Sequence, residues 1–256
     1  MCGLERFGPE AAESIPVLLD CLAKKEHKLD FGGKRPSAEE IRQAVLSSKK
    51  YVEGERASVC RILAAVGPKD DQVTTTFRTA LANPKEDIFV RAASATELAK
   101  LGEPGQAAVG DMIAFLQQTA DRKKDGYAFG PRISVIRSLG ELQLTKKEIP
   151  TLIAIVIGND DDESIRSNAV DALIAAKQHS STAWLPILQL LQDQRIGDQL
   201  TLKLVKALGT IEAPPTNRKA LAKEVEFTFD KLLRLDSNNT LLSIEMQKAL
   251  KKIQNP

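Results

Sequence analysis

The sequence predicts an all-α protein made of repeated helical hairpins, and three observations carry that expectation. Aromatic residues are only 4% of the chain, with Trp184 the single tryptophan, while alanine and leucine are plentiful. That balance favours close helix packing over a sheet core rich in aromatic and β-branched side chains. Apolar residues also recur at helical spacing. In residues 87–117 they run Val90, Ala93, Leu98 and Leu101, then Val109, Met112, Ile113 and Leu116, two apolar stripes separated by the turn Glu103-Pro104-Gly105. Finally, a glycine closes one helix of each hairpin at a nearly constant interval.

The glycines set the count. They stand at Gly8, Gly67, Gly102, Gly140 and Gly209, so that 67 to 102 and 102 to 140 are one unit each. The gap from 140 to 209 is two units, with Ala175-Ala176-Lys177 at the skipped position. From Gly8 to Gly67 is one unit plus about 24 residues, an insertion placed at about 27–53. The second helices repeat the stripe independently. Ile15, Leu18, Leu19 and Leu22 keep its spacing, as do Ile149, Leu152, Ile153 and Val156, and also Val225, Thr228, Phe229 and Leu232. Leu185 and Leu188 begin a weaker copy. Proline follows in Ile15-Pro16, Ile149-Pro150 and Leu185-Pro186, where a first-turn proline costs little because those N–H groups lack helical partners. Near the end, Leu242, Met246, Leu250 and Ile253 alternate with Glu245, Lys248, Lys251 and Lys252 in a final amphipathic helix. The expectation is a single array over 1–256.

At this level the chain resembles the HEAT repeat family, in the short bacterial type named for phycobilisome lyase subunits. The matching words are Asp87-Ile88-Phe89-Val90-Arg91 and Glu163-Ser164-Ile165-Arg166 at the start of first helices, Leu-Gly at their ends, and Ile-Pro-x-Leu in second helices. They cover most of residues 4–210. The resemblance implies a right-handed α-solenoid of about six to seven hairpins whose second helices line the concave side. The long insertion and the missing glycine near Lys177 depart from the pattern.

Composition narrows the function classes. The 256 residues carry 36 basic and 34 acidic side chains, a net charge of +2, so the chain has no overall field that would concentrate it on nucleic acid or an anionic membrane. Three cysteines, Cys2, Cys21 and Cys60, make neither a disulfide framework nor a CxxC pair, and read as buried free thiols. No apolar run is long enough to span a membrane, and no signal-peptide pattern opens the chain. Leu4-Glu5-Arg6-Phe7-Gly8 reads as the last turn of a helix that begins earlier, so the chain is expected to be part of a longer array. An uncapped edge of Leu4, Phe7 and Leu18 would then favour self-association. Without an upstream signal a cytoplasmic location is expected.

Candidate chemistry is sparse. Residues 27–53 combine a loop containing Lys34 and Arg35 with a helix opened by the capping box Ser37–Glu40. Phe31-Gly32-Gly33-Lys34-Arg35 lacks the first glycine and preceding strand of a phosphate loop. Between two units, Arg122, Lys123, Lys124, Tyr127 and Phe129 mix cations and aromatics and form the most plausible loop contact, although Asp121 and Asp125 dilute it. Asn159-Asp160-Asp161-Asp162-Glu163 lacks the glycine and distant glutamate of a calcium loop, and reads as a helix N-cap. His27 and His179 belong to no catalytic or zinc pattern. Paired His-Glu motifs of iron hydroxylases and the basic groove of helical-repeat glycosylases are both lacking. The expected function is therefore a non-catalytic scaffold or adaptor that binds a protein partner on its concave face or through the insertion, with no catalytic residue, cofactor or metal. Two alternatives are an accessory enzyme resembling bilin lyases and nucleic-acid binding through the basic loops.

Overall fold

Every element described in the computed structural model is helical, and no strand occurs among the described residues, which are 12, 14–23, 53–120, 129–158, 162–192, 196–213, 218–235 and 240–254. The packing divides the chain into two compact units, Met1–Ser138 and Leu139–Pro256. The first holds α1 (Ile15–Ala23), α2 (Glu53–Val66), α3 (Asp71–Ala82), α4 (Ile88–Lys100), the short α5 (Glu103–Ala107), α6 (Val109–Gln118) and most of α7 (Phe129–Gly140). The second holds α8 (Ile149–Ile157), α9 (Glu163–Ala175), a 3-10 segment (Lys177–Ala183), α10 (Trp184–Leu191), α11 (Asp198–Thr210), α12 (Arg218–Leu235) and α13 (Thr240–Gln254). No described helix is long and apolar enough to cross a membrane.

Aspartates start the helices. The Asp87 carboxylate accepts from the N–H groups of Phe89 and Val90 at 2.9 and 3.0 Å, and Asp70 does the same for Gln72 and Val73. Asp162 accepts from the Ser164 N–H at 2.8 Å, so the part of the acidic run that is described caps α9. Each such cap is worth about 1 kcal/mol. Glu163 reaches further and accepts from the Leu200 N–H at the start of α11, lying so close to Gly197 that a Cβ there would displace the carboxylate.

The helix ends correct the glycine count. Gly67 follows α2 and Gly102 lies just beyond α4, whereas Gly140 is the last residue of α7 and Gly209 lies inside α11. A Cβ on Gly209 would crowd Ala249 at 3.2 Å, so that glycine serves close helix approach, whereas Gly140 ends α7 and faces Ala172. Gly102 turns the chain at φ +76°, and Lys177 at the skipped position takes the same left-handed region at φ 50°. The Glu103-Pro104-Gly105 turn is itself the first part of the helix α5, with proline in its first turn.

The stripes are also rotated from their expected register. In α6 the buried members are Val109, Met112, Phe115 and Leu116, in α1 Ile15, Leu18, Cys21 and Leu22, and in α8 Ile149, Leu152, Ile155 and Val156. The third member is thus i+6, and Ile113, Leu19 and Ile153 at i+4 are only half-buried. In α10 the set starts at Trp184 rather than Leu185, which is exposed, and in α12 it is Ala222, Val225, Thr228 and Phe229, with Leu232 half-buried. Ala249 takes the core place expected of Leu250 in α13. Leu18, expected on an open edge, is fully buried, while Leu4 and Phe7 lie outside the described residues.

Within each unit, like packs on like. In the first unit α2 packs on α4, α1 on α3 and α3 on α6; in the second α9 packs on α11, α11 on α13 and α8 on α10. In sequence order, α2, α4, α7, α9, α11 and α13 are first helices and α1, α3, α6, α8, α10 and α12 second helices, with α5 in the turn between α4 and α6.

A buried arginine ties the two kinds together. Arg91 donates from Nε to the Leu81 carbonyl at 3.0 Å, and Arg166 donates from Nε to the Val156 carbonyl at 2.8 Å. Arg132 reaches the Leu116 carbonyl at 2.7 Å and Arg56 the Leu22 carbonyl at 2.6 Å. Each arginine is the fourth residue of its helix, and each acceptor is the last stripe residue of the preceding second helix. These carbonyls lie in the last turn of their helices, where intrahelical donors run out, and the guanidinium supplies a donor to each. The same place in α11 is Thr201, whose hydroxyl instead donates to Gly197 O.

Candidate functional site: the outward face of the second helices

The burial pattern defines the opposite face. In a helix that buries i, i+3, i+6 and i+7, side chains at i+1, i+5 and i+8 point away from the core. In the first unit these are Thr75, Thr79 and Ala82 of α3 and Gly110, Ala114 and Gln117 of α6, all exposed except the half-buried Ala114. In the second unit they are Pro150, Ala154 and Ile157 of α8 and Leu185, Gln189 and Gln192 of α10, all exposed. None of these residues is charged, in a chain whose charged fraction is 27%.

The first of the second helices in the first unit and the last in the second unit differ in character. In α1 the outward set is Pro16, Asp20 and Ala23, and in α12 it is Lys223, Phe227 and Asp230. The second unit adds large apolar groups, with Ile157 45%, Leu185 47% and Phe227 72% exposed. A hydrogen bond from Gln192 Nε2 to Glu224 Oε1 at 3.3 Å joins α10 to α12 on this side. First helices present the contrary pattern, with Arg61, Lys100, Arg137, Asp171 and Lys206 exposed. The uncharged character is thus a property of one face.

Gly110 sharpens the reading. It lies in the first turn of α6, its φ is not in the left-handed region, and a Cβ there would meet nothing within 4 Å. A glycine costs a helix up to about 1 kcal/mol relative to alanine, so folding alone gives no reason for it.

The first-helix layer of the first unit contains a groove of about 390 Å³ between α2, α4 and α7. Its walls are largely small residues, including Ala57, Ala92, Ala93 and Gly130, with Arg61 at the rim. Glu97 also lines it, is only 4% exposed, and receives Lys100 Nζ on both carboxylate oxygens at 3.0 and 3.1 Å.

Cys60 is fully buried beneath this layer, 3.7 Å from the Ser94 hydroxyl, and burial pushes its thiol up to about 12. Cys21 is buried as well and forms no disulfide, and Cys2 lies outside the described residues. Trp184 is wholly in the core and donates its ring N–H to the Leu208 carbonyl at 3.3 Å. His179 is half-buried in the 3-10 segment.

Of the loop residues singled out by sequence, Arg122, Lys123, Lys124, Tyr127, Lys34 and Arg35 lie outside the described residues. So does the 27–53 insertion, apart from its last residue, Glu53, which begins α2. Phe129 is described. It is the first residue of α7 rather than part of a loop and is 46% exposed. Sequence reasoning missed the uncharged outward positions, because they appear only once the stripe register is known. No protein-family model matches the chain, and none of the curated proteins matches it either.

Proposed function

We propose that the chain is a HEAT-like α-solenoid acting as a non-catalytic scaffold, which binds a protein partner along the outward face of its second helices. The observation that carries this reading is the lack of charge on α3, α6, α8 and α10 at the positions directly opposite their buried stripes. Protein interfaces deplete charge at their centres, because an ion left unpaired on desolvation costs far more than an amide, hydroxyl or methyl group. Ile157, Leu185 and Phe227 supply apolar anchors, and Gly110 allows a partner backbone to come close.

Site-directed photo-crosslinking tests it. A crosslinker at Gln117 or Leu185 is expected to capture a defined protein that a crosslinker at Lys206 does not. Affinity for that protein should fall at least about tenfold in Ile157→Glu and Leu185→Glu, and stay unchanged in Lys206→Glu. Equal capture from both faces, or glutamate variants that bind as well as the parent, would overturn the assignment.

A further inference from the structure

We propose that the groove between α2, α4 and α7 is a second binding site, which takes an extended peptide segment bearing a carboxylate. It lies among first helices, not on the second-helix face above, and does not depend on that reading.

The groove exists because facing positions carry small side chains. Ala57 and Ser58 of α2, Ala92 and Ala93 of α4, and Gly130 of α7 leave space where larger residues would meet. Its size favours an extended chain. A helix, about 10 Å across, fills such a volume with a single turn, whereas an extended strand advances about 3.3 Å per residue and lays several side chains into it.

Charge selects the ligand. Among the described residues lining the groove the one carboxylate is Glu97, which is buried and paired with Lys100. Arg61 is exposed, and its Nη2 donates to Ser58 Oγ at 3.1 Å, which aims the guanidinium at the rim. The cations therefore outnumber the carboxylate, and the remaining donors of the Arg61 fork match a second carboxylate in bidentate geometry. The Ser134 hydroxyl donates to the Gly130 carbonyl at 3.1 Å. Its lone pairs remain to accept from a peptide N–H. A basic segment would meet Arg61 and Lys100 with like charge.

The test uses the whole chain and three fluorescein-labelled pools of seven-residue peptides. The pools share randomised uncharged flanks and differ in the central residue: Glu, Gln or Lys. The Glu pool is expected to bind about fivefold better than the Gln pool, the gain of one ion pair, with the Lys pool weakest. Arg61→Met should abolish that preference. Gly130→Leu should abolish binding of the Glu pool by filling the groove, since a Cβ at Gly130 meets nothing within 4 Å and the fold has room for it. Leu185→Glu, in the second unit, should change neither. Equal binding of the Glu and Gln pools overturns the proposal, as does a Glu preference that survives both groove variants. Either result leaves the crosslinking test of the second-helix face untouched.

Discussion

A guanidinium in a protein core is costly unless every direction it faces is answered, and Arg91 shows how the answer is built. Its Nε meets the Leu81 carbonyl at 3.0 Å, its Nη2 meets Gln118 Oε1 at 2.8 Å, and its plane lies 4.9 Å from the Phe115 ring centroid. Burial lowers its pKa from the usual value, as expected for a cation drawn out of water. One side chain thus joins α3, α4 and α6. Arg56 adds a carboxylate, pairing both nitrogens with Glu86 at 2.6 and 3.1 Å. Replacing Arg91 by methionine keeps much of the volume but strands the Leu81 carbonyl, so urea unfolding should show a loss of about 2–4 kcal/mol. Exposed Arg61→Met should stay within about 0.5 kcal/mol. Equal losses at the two positions would refute the structural role given to the buried arginine.

At the scale of the element, the helices and their approximate limits were legible because apolar spacing and aspartate caps are local signals. The exact face was not. Choosing i+4 over i+6 as the third stripe member turned each helix by part of a turn, since Ile113 and Phe115 are both apolar and only packing against α3 and α5 decides which is covered. Glycine was ambiguous for a like reason: Gly102 turns the chain while Gly209 admits Ala249, and the sequence shows the same Leu-Gly word for both. The recurrent arginines escaped notice at Arg56 and Arg132 because arginine is ordinarily read as a solvated residue. At Lys177 the chain adopts φ 50° without a glycine, a conformation that costs an L-residue roughly 1 kcal/mol. Lys177→Gly should therefore raise the unfolding free energy by about 0.5–1 kcal/mol, partly offset by the greater freedom of glycine in the unfolded chain. A calorimetric scan that shows destabilisation would contradict the strain.

For the molecule as a whole, the near balance of 36 basic and 34 acidic residues leaves little long-range field, and the proposed partner face carries almost no charge of its own. Partner binding on the second-helix face should accordingly weaken by less than about threefold between 50 and 300 mM salt. A steep loss would instead indicate contacts with phosphates and release of counterions, as nucleic-acid binding requires. The arginine contacts have a consequence of a different kind. Arg91 and Arg166 each sit 10 residues after their acceptor, but Arg132 sits 16 and Arg56 34 residues after theirs, and the same contact forms in every case. The anchorage is indifferent to the length of chain between its ends, and closing a longer loop costs little more than closing a short one. Lengthening or shortening the chain at those two junctions should therefore change the folding free energy by well under about 1 kcal/mol, so the clamp tolerates connections of very different length.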